Sequence, residues 1–100
     1  MSLLTWDYDG DLFCTLTTET GAGEGRMTHF ELSEARMVPG GASSVSASPT
    51  PGPTVVTVLA YAPEEEKPAE VYFDATQTLP FAVLQHFVEL VASQLTSAEL

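Results

Sequence analysis

Three aspartates at alternate positions, Asp7, Asp9 and Asp11, with Gly10 between the last two, form the run DYDGD. Alternate carboxylates can converge on a hard cation. An EF-hand loop, however, needs glycine at its sixth position and a bidentate glutamate at its twelfth. Counted from Asp7, glycine is fourth and the twelfth residue is Thr18. Asp-Gly is also a preferred dipeptide of the two-residue type I′ turn, so the run reads as a hairpin turn carrying solubilising acids, with no metal assigned. His29 and His86 are the only histidines. A metal site at either would have to recruit Glu31 or Glu89, and such pairs are ordinary surface neighbours on a strand or helix. Cys14, the single cysteine, excludes an intramolecular disulfide and a thiolate cluster. In mid-strand it behaves as a small hydrophobe, with no base expected nearby to activate it. The GAGEG run at 21–25 lacks both the lysine of a phosphate loop and the strand–turn–helix setting of a dinucleotide fingerprint. No catalytic residue and no cofactor are assigned.

The elements that would carry these residues begin with a hairpin. Leu3–Tyr8 and Asp11–Thr18 alternate in character about Asp9-Gly10. That turn sets Tyr8 opposite Asp11, Trp6 opposite Phe13 and Leu4 opposite Thr15 on one face. On the other it sets Leu3 opposite Leu16, Thr5 opposite Cys14 and Asp7 opposite Leu12. Arg26–Leu32 predicts a third strand with Thr28, Phe30 and Leu32 toward the core and Met27, His29 and Glu31 away from it, and residues 33–37 continue it. Residues 39–54, PGGASSVSASPTPGPT, hold no charge and no aromatic ring, and little there offsets an ordering entropy of about 1–2 kcal/mol per residue. A long disordered loop is expected. Val55–Ala62 and Val71–Ala75 form a second hairpin around the acidic connection PEEEKPAE. A helix over 78–96 follows, capped by Thr78 with Pro80 in its first turn. The expected fold is a single α+β domain over 1–100: a four- to five-stranded antiparallel sheet covered by one C-terminal amphipathic helix.

On a helical wheel Phe81, Leu84, Val88, Val91 and Leu95 make one apolar stripe, of which Leu84, Val88, Val91 and Leu95 are assigned to the domain's own core, and Val83, Phe87 and Leu90 widen it. The apolar arc reaches roughly 200°, against the ~100° needed to sit on one sheet. The surplus predicts contact with another chain, a second copy being the simplest. Val83, Phe87 and Leu90, with Trp6 and Phe13 of the first hairpin, are the expected interface. Glu64, Glu65, Glu66, Glu70 and Asp74 are the expected electrostatic contacts, and their charge would speed association with a basic protein.

Fourteen acidic residues against three basic ones give a formal charge of −11 in 100 residues. A field of that sign repels phosphate backbones and anionic headgroups, so neither nucleic acid nor membrane is an expected partner. No segment reaches the ~20 apolar residues of a membrane span, and the N-terminus lacks the basic and apolar regions of a signal peptide. A cytoplasmic location is the expectation. The leading functional expectation is a non-enzymatic protein-interaction module, such as an adaptor, a chaperone-like or an inhibitory subunit, working as a homodimer or within a complex. Its alternatives are a small ligand-binding or enzymatic domain with a pocket between sheet and helix, lined by Trp6, Tyr8 or Phe87, and a structural subunit of a larger assembly.

Overall fold

The computed structural model describes residues 2–21, 26–39, 47–62 and 66–99. Five strands, β1 (Ser2–Tyr8), β2 (Asp11–Thr20), β3 (Met27–Pro39), β4 (Ala47–Tyr61) and β5 (Glu70–Phe73), pair antiparallel in chain order as one sheet, and α1 (Phe81–Glu99) follows. The α+β architecture expected from the sequence is the one observed.

The first hairpin forms in the predicted register, from Tyr8 opposite Asp11 through Trp6 opposite Phe13 to Leu4 opposite Thr15. Asp9 and Gly10 both take positive φ, 50° and 89°, as a type I′ turn requires. That backbone twist matches the strands it joins, and this fixes the register. β3 likewise buries Phe30 and Leu32 and runs on past Ser33 as a strand.

The 39–54 stretch differs from expectation. Pro39 ends β3, and Ala47–Thr54 belong to β4, whose residues from Ala47 to Pro51 pair with β3 from Pro39 back to Ala35. Only residues 40–46 of the expected loop lie outside the described residues. The lack of charged, aromatic and large apolar residues was the misleading signal, because pairing with β3 orders a stretch that its own side chains do not. Its prolines, which remove a ladder donor, suit only an edge or a bulge. This part of β4 has such an edge: β5 pairs only with Val56–Leu59, so Pro49, Pro51 and Pro53 lie where β3 is the sole paired neighbour. The register also slips at Leu32/Ser33 and again at Ser33/Ala35, each time with an extra residue in β4. The first slip lets two successive residues, Val55 and Val56, both be buried. Gly52 sits at the second. A Cβ there would come 2.9 Å from the Glu34 carbonyl oxygen, so the close approach of the two backbones needs glycine.

The helix starts at Phe81, three residues later than expected, and Thr78 does not cap it. The Pro80 carbonyl accepts from the amides of Val83 and Leu84 at 3.0 and 3.3 Å, which makes Pro80 the capping position. Leu79 explains the shift, since a residue before proline is held out of helical backbone geometry and cannot be the first helical residue. Leu79 and Leu84 instead take the two positions of a hydrophobic staple, both packed against the core. That core consists of Phe13, Phe30, Leu32, Val55, Val56, Val58 and Ala60 from the sheet, closed by Val83, Phe87 and Val91.

Candidate interaction surface

Core packing decides which side of α1 is available to a partner. Val83 and Phe87 are 1% and 0% exposed and lie on the sheet, whereas Phe81 and Val88 are 76% and 53% exposed. At 100° per residue, the buried line Val83–Phe87–Val91 is centred roughly 60–80° from the stripe that the wheel assigned to the core. The expected interface is corrected accordingly. Val83, Phe87 and Phe13 are core residues, Trp6 and Leu90 are half-buried, and Trp6 packs on the core with its ring centroid 4.7 Å from that of His86. The arc was as wide as predicted, but the sheet selected its other flank. Of the residues named for a pocket between sheet and helix, Phe87 is fully buried in the core, Trp6 is half-buried against it and Tyr8 is exposed.

The apolar surface left open lies at one side of the sheet. β5 is the end strand, and Val71, Tyr72 and Phe73 are 50%, 53% and 64% exposed. Its pairing assigns each residue a face. Val71 and Phe73 stand opposite Val58 and Val56, on the side that carries the helix, and Glu70 and Tyr72 stand opposite Leu59 and Thr57, on the reverse side. The helix covers Val56 and Val58 but stops short of β5, so the apolar face of the sheet runs on uncovered through Val71 and Phe73.

The reverse face of β5 is polar and ordered. Tyr61 and Tyr72 both donate to the Glu70 carboxylate, Tyr72 at 3.1 Å. These bonds, the Tyr61 one foremost, together with the charge of Lys67, hold the Glu70 carboxyl below the usual carboxylate range, and the same contact raises the Tyr72 phenol above its ordinary value. The Lys67 ammonium lies 5.2 Å from the centre of the Tyr61 ring. Glu70 is exposed and makes these contacts within its own chain, and Glu66 is exposed nearby in sequence with φ of 54°. Asp74 has an internal role. One carboxylate oxygen accepts from the Thr76 amide and hydroxyl at 2.9 and 2.6 Å, and the other accepts from Gln77 at 3.0 Å. The Thr76 hydroxyl bond leads the contacts that lower its pKa, and this turn carries the chain from β5 toward the helix. Glu64 and Glu65 lie outside the described residues.

The other chemistry-bearing residues do not converge. Among the described residues, no three histidine, cysteine or acidic side chains group as a metal site would require. Asp7, Asp9 and Asp11 are all exposed around the hairpin turn. Cys14 is fully buried with its Sγ 3.3 Å from Ser33 Oγ, and His29 Nε2 lies 3.5 Å from Thr20 Oγ1. A cleft of about 430 Å³ opens near Leu95, lined by Glu19, Arg26, Tyr61, Glu66 and Lys67 among others, so charges of both signs share it. Among the described residues no helix is long and apolar enough to cross a membrane.

Sequence reasoning missed Val71, Phe73, Phe81 and Val88. The available signal was the run Val-Tyr-Phe in a four-residue strand, since three large side chains in so short an element cannot all face one core. No protein-family model, curated protein or solved structure matches the chain.

Proposed function

We propose that this chain is a non-enzymatic, cytoplasmic protein-interaction module that works as a homodimer or within a complex. The supporting observation is four large apolar side chains, Val71 and Phe73 on β5 and Phe81 and Val88 on α1, each at least half exposed in a chain that is otherwise strongly acidic. Surfaces of this kind mark contact sites in soluble domains, and β5 adds the unpaired edge of a sheet. The field of the chain disfavours nucleic acid and anionic lipid as partners and favours a basic protein surface.

A photo-crosslinking residue introduced at position 73 or 81 in the native host tests this reading. An adduct with a protein is expected at both positions and not at Asp7, which is exposed on the opposite edge of the sheet. Absence of any adduct at 73 and 81 would refute it. Sedimentation equilibrium then tells whether the adduct partner is a second copy, because a homodimer shows twice the 10.7 kDa chain mass or a mass rising toward it with concentration.

A further inference from the structure

We infer that the outer edge of β5 receives an extended segment of a basic partner protein, added as a sixth strand, in which basic and apolar side chains alternate. The inference rests on the interaction reading above and specifies its partner. Three observations support it. First, β5 ends the sheet and no described strand pairs with its outer edge, so outward backbone donors and acceptors are available for strand addition. Second, the two faces of β5 differ chemically. Val71 and Phe73 continue the apolar helix side, whereas Glu70 and Tyr72 form an acid-phenol pair on the reverse. An added strand places successive side chains on opposite faces. The complementary segment therefore sets apolar residues beside Val71 and Phe73 and cationic ones beside Glu70 and Tyr72.

Third, this corner already holds a cation. Lys67, one of only three basic residues in the chain, lies against the Tyr61 ring, and its charge contributes to lowering the Glu70 pKa. A partner lysine or arginine beside Tyr72 meets the same combination of ring and carboxylate. A second copy fits this edge poorly. Antiparallel pairing of β5 with itself brings two Glu70 carboxylates to one short ladder, between chains that each carry a formal charge of −11. A basic segment neutralises the charge that a second copy doubles.

The test uses the full chain and three synthetic peptides: one alternating lysine and valine, its block isomer with all lysines preceding all valines, and one alternating glutamate and valine. Affinity is read by fluorescence anisotropy, and the site by slowed amide exchange. The alternating lysine peptide is expected to bind about tenfold or more tightly than either control and to slow exchange at residues 70–73. Glu70→Lys, a change at an exposed position, should weaken that binding by about tenfold, whereas Asp7→Lys on β1 should leave it unchanged. Equal binding of the block isomer, or equal losses in the two variants, would show attraction by the overall charge and overturn strand addition. Slowed exchange at 70–73 on self-association without peptide would give the edge to a second copy and overturn it too. A crosslink at position 73 in the host alongside failure of the alternating peptide would defeat this inference and leave the interaction reading standing. Loss of both defeats both.

Discussion

Phe87→Ala tests the orientation of the helix, on which the assignment of the open surface depends. Phe87 is fully buried among Phe30, Leu32, Val56, Val58, Val83 and Val91. Removing a buried ring loses a transfer free energy of about 2–3 kcal/mol, and the cavity left behind brings the usual total to about 3–5 kcal/mol. Domains of this size are stable by about 5–15 kcal/mol, so the variant should lose roughly a fifth or more of its stability. Its Tm should fall by about 12–40 °C, at the ~4–8 °C per kcal/mol typical of a chain this long. Phe81→Ala removes the same ring from a site that is 76% exposed and should change stability by no more than about 0.5 kcal/mol. Urea titrations followed by far-ultraviolet circular dichroism and by Trp6 fluorescence provide both values, and an unchanged urea dependence confirms that only stability moved. Trp6 is a suitable reporter because it is the only tryptophan and its ring rests on His86 of the same helix. A loss below about 1 kcal/mol for Phe87→Ala, or a larger loss for Phe81→Ala, contradicts the burial described here. The Phe81–Val88 side would then face the sheet.

Other substitutions probe the sheet. The buried Thr15 hydroxyl has no hydrogen-bond partner among the described residues, so Thr15→Val, which keeps the shape and removes an orphaned polar group, should stabilise the chain by about 1 kcal/mol in the same urea assay; destabilisation would reveal a partner for the hydroxyl. Gly52→Ala should cost about 1–3 kcal/mol, because its Cβ meets the Glu34 carbonyl oxygen and forces β3 and β4 apart at the bulge. A neutral result there would show that the strands can separate freely. Glu70 and Tyr72 give a paired pH signature. The depressed Glu70 pKa makes its contribution to stability present above the unfolded carboxyl pKa and lost as pH falls through the folded value, whereas the raised Tyr72 pKa makes its contribution present below the unfolded phenol pKa and lost as pH rises through the folded value. In Glu70→Gln the Tyr72 absorbance titration should move down toward an ordinary phenol, and an unmoved titration would show that the two groups are not in contact.

Local signals in the sequence were legible where local chemistry governs the outcome. Asp9-Gly10 specifies its turn, the turn specifies the register, and the alternation through Phe30 and Leu32 assigns a face to each residue without reference to the rest of the chain. The helix was equally clear as an element, but its rotation was not. A wheel measures how wide the apolar arc is, whereas the flank that meets the sheet is set by tertiary packing, which placed Phe87 down and Phe81 out. The composition of residues 47–54 misled for a related reason, since their order comes from pairing with β3, and Pro49, Pro51 and Pro53 are tolerated by the same arrangement. Proline is incompatible with a strand paired on both sides, and only the short length of β5 leaves that part of β4 with β3 alone. The same short length left Val71, Tyr72 and Phe73 uncovered, and strand order at the end of a sheet follows from pairing rather than composition. Glu70 was flagged for its charge, but its Tyr61 partner comes from β4 and becomes a neighbour only when β4 and β5 pair.

The unbroken strand order bears on the birth of the molecule. Each strand pairs with its neighbour in the chain, so the sheet can grow strand by strand as synthesis proceeds. The cover arrives last. Val83, Phe87 and Val91 are translated after all five strands, and until they dock, Phe13, Phe30, Leu32 and Val56 present one continuous apolar face to whatever surrounds the ribosome. A nascent chain stalled before Val83 would be a nearly complete sheet without its cover, open to aggregation or to a chaperone. The Trp6–His86 contact, which joins the first strand to that last helix, marks the moment at which this exposure ends.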